Sequence, residues 1–188
     1  MVKFMKKIFL LFCLIFIMIF NCVNAAEVQK KWANPQHLKV YIQPGLERSG
    51  MMKRAFAEWS KLTKNKVVFY YVDSKAEADI DVVFVDRLAT NFEQAIGLTD
   101  CKFLKHNNNM QHATVIIPAK TTKGIPLSRD DVYTSMLHEI GHAIGIVKHS
   151  TNPHNIMYPY IDAKREITKY DLAELYRIYD WKDPVTYY

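Results

Sequence analysis

The sequence has few cysteines and no strongly charged or repetitive segment. Three of its 188 residues are cysteine, and Cys13 and Cys22 fall within the first 25 residues. The remainder keeps only Cys101, which cannot form an internal disulfide and is expected to be a buried thiol. No dense cluster of Lys and Arg and no internal repeat follows residue 25. Nucleic-acid binding therefore has little support, and a repeat architecture is excluded.

The one long apolar run lies at the N-terminus. Three lysines among the first seven residues precede 13 consecutive apolar residues, Ile8–Phe20, and small residues follow. This layout is typical of a secretory signal peptide, and the run is shorter than the about 20 residues that a membrane span needs. We expect a signal peptide over residues 1–25 and a secreted or extracytoplasmic domain over residues 26–188, without membrane contact after cleavage. An uncleaved membrane anchor is the alternative.

Charge is nearly balanced once this segment is removed. Its three lysines are part of the 25 basic residues, so 22 basic residues face 19 acidic ones, and the net charge falls from +6 to +3. The remaining chain is long enough to bury a single core without disulfides. We expect one domain and a monomer.

Apolar periodicity predicts a mixed α+β domain. Helical spacing predicts a helix with Trp59 on its buried face, and capping boxes that start at Ser128 and Thr168 begin two more helices. Alternating apolar residues predict strands. These segments are 37–44, 66–72, 78–86 and 112–119, with 97–104 as a weaker candidate. Strands and helices in this order are typical of an α+β fold.

The stretch HEIGHAIGIVKHS, residues 138–150, contains three histidines and a glutamate. His138 and His142 are four residues apart on a predicted helix, so they share one face and can bind one Zn²⁺. Glu139 can reach a metal-bound water as a general base. A catalytic zinc needs a third protein ligand and one open position. Gly145 tolerates positive φ, so the chain can turn there and bring His149 back to the metal.

These residues resemble the metzincin signature H-E-x-x-H-x-x-G-x-x-H, most closely in its matrixin form. The first four defined positions match, but Lys148 stands where the third histidine is expected, and His149 follows one residue later. A lysine ammonium has no lone pair to offer a metal. We therefore assign the third ligand to His149.

The resemblance extends to the segment after the histidines. Met157 lies eight residues after His149 in the sequence NIMYPY, which is similar to the methionine turn beneath the zinc ligands of matrixins. In that family the next residues form one wall of the specificity pocket, which the resemblance assigns to Tyr158, Pro159 and Tyr160. The order of elements implies a metzincin-like catalytic domain with a twisted mixed β-sheet, a zinc-binding helix, a Met-turn and a C-terminal helix.

The resemblance implies a secreted zinc endopeptidase that acts on proteins or peptides. One Zn²⁺ would be held by the three histidines, and Glu139 would move a proton from the attacking water to the leaving amine. Strand 112–119 would be the edge to which an extended substrate adds as a further strand.

Other functions remain compatible with the histidine motif. A thermolysin-like protease would take its third zinc ligand from Glu166 or Glu174, and His154 is a weaker alternative to His149. A non-catalytic domain would hold zinc and bind or inhibit a partner. The glycine turn and Met157 disfavour the first alternative, and the intact Glu139 disfavours the last.

Further metal sites have weaker support. His106 and His112 could hold a second, structural Zn²⁺, and three aspartates, Asp79, Asp81 and Asp86, could contribute to a Ca²⁺ site. The two histidines lack a recognisable ligand spacing, so surface positions are favoured for them. For the aspartates we favour the solvated face and the end of a strand.

Overall fold

The computed structural model describes residues 30–44, 47–90, 95–107, 109–160 and 164–182. The expected signal peptide therefore lies outside the described residues. Within these segments, none of the helices combines the length and the apolar character that a bilayer span requires.

Five strands form one mixed sheet in the order β2-β1-β3-β5-β4. Four strands run parallel, and β4 pairs antiparallel with β5 at one edge. The strands are β1 (Leu38–Ile42), β2 (Phe69–Tyr71), β3 (Ile80–Arg87), β4 (Leu98–Phe103) and β5 (Met110–Lys120). The α+β prediction is confirmed. The prediction of an edge strand at 112–119 is wrong, because β5 lies between β3 and β4.

Strand β5 is also longer than its sequence pattern indicated. It begins two residues before the predicted segment 112–119 and ends one residue after it, at Lys120. Pairing with β4 stops at Ile116. Pro118 therefore lies beyond that pairing, where a strand tolerates a missing N–H.

Three α-helices accompany the sheet, and the starts that the capping boxes predicted for the last two are confirmed. They are α1 (Glu47–Leu62), α2 (Arg129–Ala143) and α3 (Lys169–Tyr179). The buried residues of α1 include the predicted Trp59 together with Met52, Ala55 and Phe56. Both capping boxes form at the starts of α2 and α3. Helix α2 packs on β5, β4 and α1 and is buried on most of its surface.

Aromatic side chains hold the C-terminal half of α2 in place. The Trp59 indole Nε1 donates to the Leu137 carbonyl at 2.9 Å, and the Trp32 indole donates to the Ala143 carbonyl at 2.7 Å. The Tyr179 hydroxyl donates to the next carbonyl at 2.8 Å. In each bond, a side chain of the core donates to a backbone carbonyl that is buried or lies at the end of the helix. These bonds connect α2 to α1, to α3 and to the segment before β1.

Asp81 on β3 differs from its predicted position on a solvated face, because its side chain is fully buried. Lys75 Nζ lies 2.7 Å from one carboxylate oxygen, and His112 Nε2 lies 2.6 Å from the other. The Thr114 hydroxyl donates at 2.9 Å. Asp81 points away from the helices, as the strand alternation predicts, but these side chains cover it and supply the partners that a buried charge requires.

Candidate active site

Helix α2 ends in a turn that reverses the chain toward the helix histidines. Gly145 has φ +117°, and its N–H donates to the His142 carbonyl at 3.0 Å. The Ile146 N–H donates to the Gly141 carbonyl at 3.0 Å, which completes a Schellman motif. A side chain at position 145 would be strained at this φ, and its Cβ would lie 3.0 Å from the Lys30 carbonyl. Position 145 therefore requires glycine, both because its φ is positive and because a side chain would crowd the Lys30 carbonyl.

Three histidine side chains meet beside this turn. His138 and His142 project from α2, His149 comes from the loop that follows, and one nitrogen of each lies within 4.8 Å of the others. His142 Nε2 is 3.1 Å from His138 Nε2 and 3.2 Å from His149 Nε2. Lys148 is exposed. The structure thus brings together the three histidines that the sequence grouped, despite the offset of one residue.

Backbone carbonyls fix the tautomers of the two helix histidines. His138 Nδ1 lies 2.7 Å from the Ile156 carbonyl, and His142 Nδ1 lies 2.6 Å from the Ile146 carbonyl. A carbonyl can only accept, so each Nδ1 carries the proton and each Nε2 keeps a lone pair. Burial lowers the pKa of His138 to about 4 and the pKa of His142 to about 3. Both rings are therefore neutral at pH 7, as metal ligation requires.

The converging nitrogens fit a zinc ion. Nε2 lone pairs that face each other at 3.1 Å repel unless a cation lies between them. Nitrogen ligands at tetrahedral corners, 2.0–2.1 Å from Zn²⁺, lie about 3.3 Å apart, close to the observed separations. Within the described part of the chain, this triad is the one group of three or more His, Cys, Asp or Glu side chains close enough to hold a metal ion.

Glu139 is enclosed between α2 and the start of β4. The residue is 6% exposed, and its Oε2 accepts a hydrogen bond from the Thr99 hydroxyl at 2.7 Å. A Cβ at Gly97 would overlap the carboxylate, so the glycine leaves the space that Glu139 fills. Burial raises the pKa of Glu139 to about 7, and the bond from Thr99 acts in the opposite direction. A carboxylate with a pKa near 7 is suited to accept and release a proton at neutral pH.

Met157 lies directly beneath α2. A Cβ at Gly141, between the two helix histidines, would overlap the Met157 sulfur. The Asp171 carboxylate on α3 accepts the backbone N–H groups of Ile156 at 3.1 Å and of Met157 at 3.2 Å. The Ile156 carbonyl in turn accepts a hydrogen bond from Nδ1 of His138. Asp171, which is 3% exposed, therefore connects the C-terminal helix to the first histidine through the methionine turn.

The segment after Met157 is largely at the surface. Tyr158 is half-buried, and Pro159 and Tyr160 are exposed. The buried Arg165 guanidinium donates to the Tyr160 carbonyl at 2.5 Å and lies 5.1 Å from the centre of the Tyr158 ring. This segment therefore has a defined path beside the methionine turn, and its role as a pocket wall stays a prediction.

The alternative third ligands lie outside the histidine cluster. Glu174 Oε1 lies 2.6 Å and Oε2 lies 2.8 Å from the guanidinium nitrogens of Arg177. Glu166 and His154 are exposed. A cleft of about 330 Å³ lies between His149 and α3, and Glu174 is part of its lining. Among the described residues, neither Glu166 nor Glu174 joins the histidine cluster, as a thermolysin-like site would require.

The residues considered for other metal sites are held by separate partners. Each aspartate accepts a bond from a lysine side chain or a backbone N–H, and His112 contacts Asp81. His106 is exposed. The aspartate pairs are Asp79 with the Lys39 N–H at 2.8 Å, Asp81 with Lys75 at 2.7 Å and Asp86 with Lys120 at 2.8 Å. These residues form no second cluster within the described segments.

The sequence did not reveal the surroundings of Glu139. Thr99 and Gly97 lie in the weakly predicted strand region, 40 residues from Glu139 in the case of Thr99. Asp171 was expected only to complete the capping box that starts at Thr168. The available signals were slight: a glycine immediately before a strand, and an alternation that puts Thr99 and Cys101 on one face of β4. Neither indicates which helix that face meets.

The α+β fold, the neutral histidine triad and the adjacent buried carboxylate define a metzincin-type catalytic domain. More narrowly, the sequence model of the family described as Matrixin matches residues 32–180. The chain therefore belongs to the matrixin family of zinc metalloendopeptidases.

Comparison with solved structures supports the fold. The chain is similar to a structure titled "Structure of myroilysin", with a TM-score of 0.50 and 14% identity over 84% of this chain and 97% of that chain. A second structure, titled "Crystal structure of myroilysin", matches with a TM-score of 0.45 and 12% identity over 80% and 86% of the two chains. At these identities the first match shows the fold alone, and the second carries no argument. A comparison with curated proteins gave no match.

Proposed function

We propose that the protein is a secreted endopeptidase with His138, His142 and His149 as zinc ligands and Glu139 as general base. The observation that carries this proposal is the neutral triad beside a buried carboxylate in a member of the matrixin family. Zn²⁺ in this site would polarise the scissile carbonyl and lower the pKa of the attacking water. The rest of the chemistry belongs to the protein's own side chains.

Glu139 supplies the proton transfers in this proposal. It accepts a proton from the attacking water and then delivers it to the leaving amine nitrogen. Because Glu139 is buried, its carboxylate has little contact with bulk water. The carbonyls of Ile146 and Ile156 keep the two helix histidines in the tautomer that leaves Nε2 free for the metal.

An extended substrate would add to β4. This strand is an edge of the sheet, and main-chain hydrogen bonds to an edge can hold a peptide as a further strand. Thr99 on β4 contacts Glu139, so a peptide along this edge passes the reacting groups. The segment Tyr158–Tyr160 would face the substrate as a pocket wall.

Export rests on the N-terminal sequence. The basic start, the 13-residue apolar run and the small residues that follow support a signal peptide over 1–25. Sequencing the N-terminus of the exported protein tests this. A mature chain that begins at about residue 26 is the expected result, and an intact Met1 in the membrane fraction would contradict it.

The general-base role is tested with Glu139→Ala. The purified variant should keep its zinc by elemental analysis but cleave casein at least about a hundredfold more slowly than the parent protein. Activity equal to that of the parent would refute the mechanism.

The offset third ligand is tested with two neighbouring substitutions. His149→Ala should lose zinc because it removes one of three ligands, and Lys148→Ala, as the matched control, should keep it. Glu174→Ala should also keep zinc. Loss of zinc in Lys148→Ala or Glu174→Ala, with retention in His149→Ala, would move the third ligand elsewhere.

A further inference from the structure

The Thr99 side chain extends from the edge strand to Glu139. Its neighbours Leu98 and Asp100 on β4 are exposed, and Thr99 points inward. Thr99 Oγ1 lies 2.7 Å from Glu139 Oε2 and 3.0 Å from the backbone carbonyl oxygen of the same residue. One hydroxyl thus contacts both the carboxylate and the main chain of Glu139.

The chemistry of the acceptors fixes the direction of these bonds. A carbonyl oxygen and an ionised carboxylate can only accept, so the hydroxyl proton of Thr99 points toward Glu139. A charged acceptor forms the shorter and stronger bond, which agrees with the shorter distance to Oε2. Thr99 therefore restrains the torsions between the backbone of Glu139 and its carboxylate.

The other groups around the carboxylate shape its space. The Ser135 hydroxyl, one turn earlier on α2, donates to the Ile96 carbonyl at 2.7 Å. This bond holds the segment before β4 against the helix. At Gly97, in that segment, an added Cβ would overlap Oε1 of Glu139. Oε1 thus lies beside Gly97, and Thr99 bonds to Oε2.

We propose that Thr99 is a positioning residue whose hydroxyl holds Oε2 of Glu139 and so keeps the carboxylate in one orientation for its proton transfers. The inference rests on the proposed general-base function. The water O–H bond breaks as the proton reaches the Glu139 carboxylate, and this proton later moves from the carboxylate to the leaving amine nitrogen. Thr99 donates to Oε2 throughout, so the hydrogen bond survives both transfers and the carboxylate keeps one orientation.

The test compares substitutions that remove or keep the hydroxyl. Thr99→Val preserves the shape of the side chain and should lower kcat about tenfold or more, with KM changed by less than about twofold. Thr99→Ser keeps the hydroxyl and should restore most of kcat. Zinc content should match that of the parent protein. Thr114→Val is the matched control, on the strand beside β4. It removes a hydroxyl that donates to the Asp81 carboxylate at 2.9 Å. This substitution should leave kcat unchanged.

Crystal structures of the metal-free parent and Thr99→Val provide a readout independent of activity. The Glu139 carboxylate should leave its parent position in the variant, and an unmoved carboxylate would overturn the inference. A parent-like kcat in Thr99→Val, or equal losses in the Val and Ser variants, would overturn it as well. If Thr99→Val does not fold, Thr99→Ala takes its place with the same expected results. An inactive parent protein would refute the proposed function alone, and the two crystal structures would still decide the position of Glu139.

Discussion

Glu139 and Asp81 are both buried carboxylates that accept a hydrogen bond from a threonine hydroxyl, but their surroundings differ. Glu139 lies on the helix packed against one face of the sheet and bonds to Thr99 at 2.7 Å. Asp81 points from the other face and bonds to Thr114 at 2.9 Å. Asp81 also has Lys75 at 2.7 Å and a histidine ring at 2.6 Å.

The two surroundings shift the pKa values of Glu139 and Asp81 in opposite directions. Burial raises the pKa of Glu139 to about 7. Burial also acts to raise the pKa of Asp81, but the hydrogen bonds from Lys75, Thr114 and His112 outweigh it and lower that pKa. A buried carboxylate with a cationic partner stays ionised and contributes to the fold, whereas one without such a partner can exchange a proton.

The largest expected effect comes from replacing the carboxylate of Glu139 by an amide. Glu139→Gln should lower peptidase activity at least about a hundredfold because the base is lost. The melting temperature of the metal-free protein should be equal or higher, since the substitution removes a buried charge that has no cationic partner among the described residues. Calorimetry checks the second outcome. A melting temperature several degrees lower would show that Glu139 supports the fold as Asp81 does.

A smaller loss is expected when the space for Glu139 is filled. The Cβ of Gly97→Ala would overlap Glu139 Oε1 and lie 2.5 Å from the Ser135 hydroxyl. The carboxylate is the end of a flexible side chain, so it should move while the fold persists. Activity should fall about 10- to 100-fold, and the free energy of unfolding should fall by about 1–3 kcal/mol, because the buried Ser135 hydroxyl and Cγ of Glu139 must shift as well.

Gly50→Ala on α1 is the matched control for that substitution. A Cβ there would have nothing within 4 Å, so activity should equal that of the parent protein. If Gly97→Ala keeps full activity under the same assay, the enclosure of Glu139 has no catalytic importance.

The histidine motif could be predicted from the sequence because its geometry is local. A spacing of four on a helix fixes the relation of His138 to His142, and a glycine that permits positive φ explains how His149 returns. The exact position of the third histidine did not matter, because the loop after Gly145 absorbs the extra residue. Local rules therefore gave the chemical groups and their order.

The strand order could not be predicted, and the edge assignment was wrong for a physical reason. Residues 113–119 are nearly all apolar, which is typical of an interior strand covered on both faces. Strand β4, Leu98–Phe103, alternates exposed and half-buried residues, as suits an edge. The contact of Thr99 with Glu139 depends on this order, so it was not accessible from the sequence.

The position of Asp81 shows a second limit of strand patterns. Alternation correctly separated it from Ile80 and Val82, which face the helices. Alternation does not tell whether the outer face is covered. Here Lys75 in a short 3₁₀ helix and His112 on β5 contact the carboxylate, so an outward position is buried as well.

Replacing Asp81 should reverse the pattern expected for Glu139. Asp81→Asn removes the charge that Lys75 and His112 contact, and the free energy of unfolding should fall by about 1–3 kcal/mol. The value of kcat per zinc-loaded molecule should not change, since Asp81 is on the opposite face of the sheet. Urea denaturation and kinetics normalised to zinc content measure the two outcomes. A lower kcat with unchanged stability would contradict the structural role.

The smallest expected effect is the acid dependence of that stabilisation. Because the pKa of Asp81 is lowered in the folded state, its contribution is fully present above the unfolded pKa of about 3.9 and is lost as the pH falls through the folded pKa. Lys75 is 57% exposed, so solvent screening limits the size of the effect. Urea unfolding of the metal-free parent protein and Asp81→Asn should therefore give free energies that differ at pH 7 and converge toward about pH 2. The difference between the two proteins cancels the other titrating groups to first order, and a gap that stayed constant across this range would mean that Asp81 contributes through its shape and not through its charge.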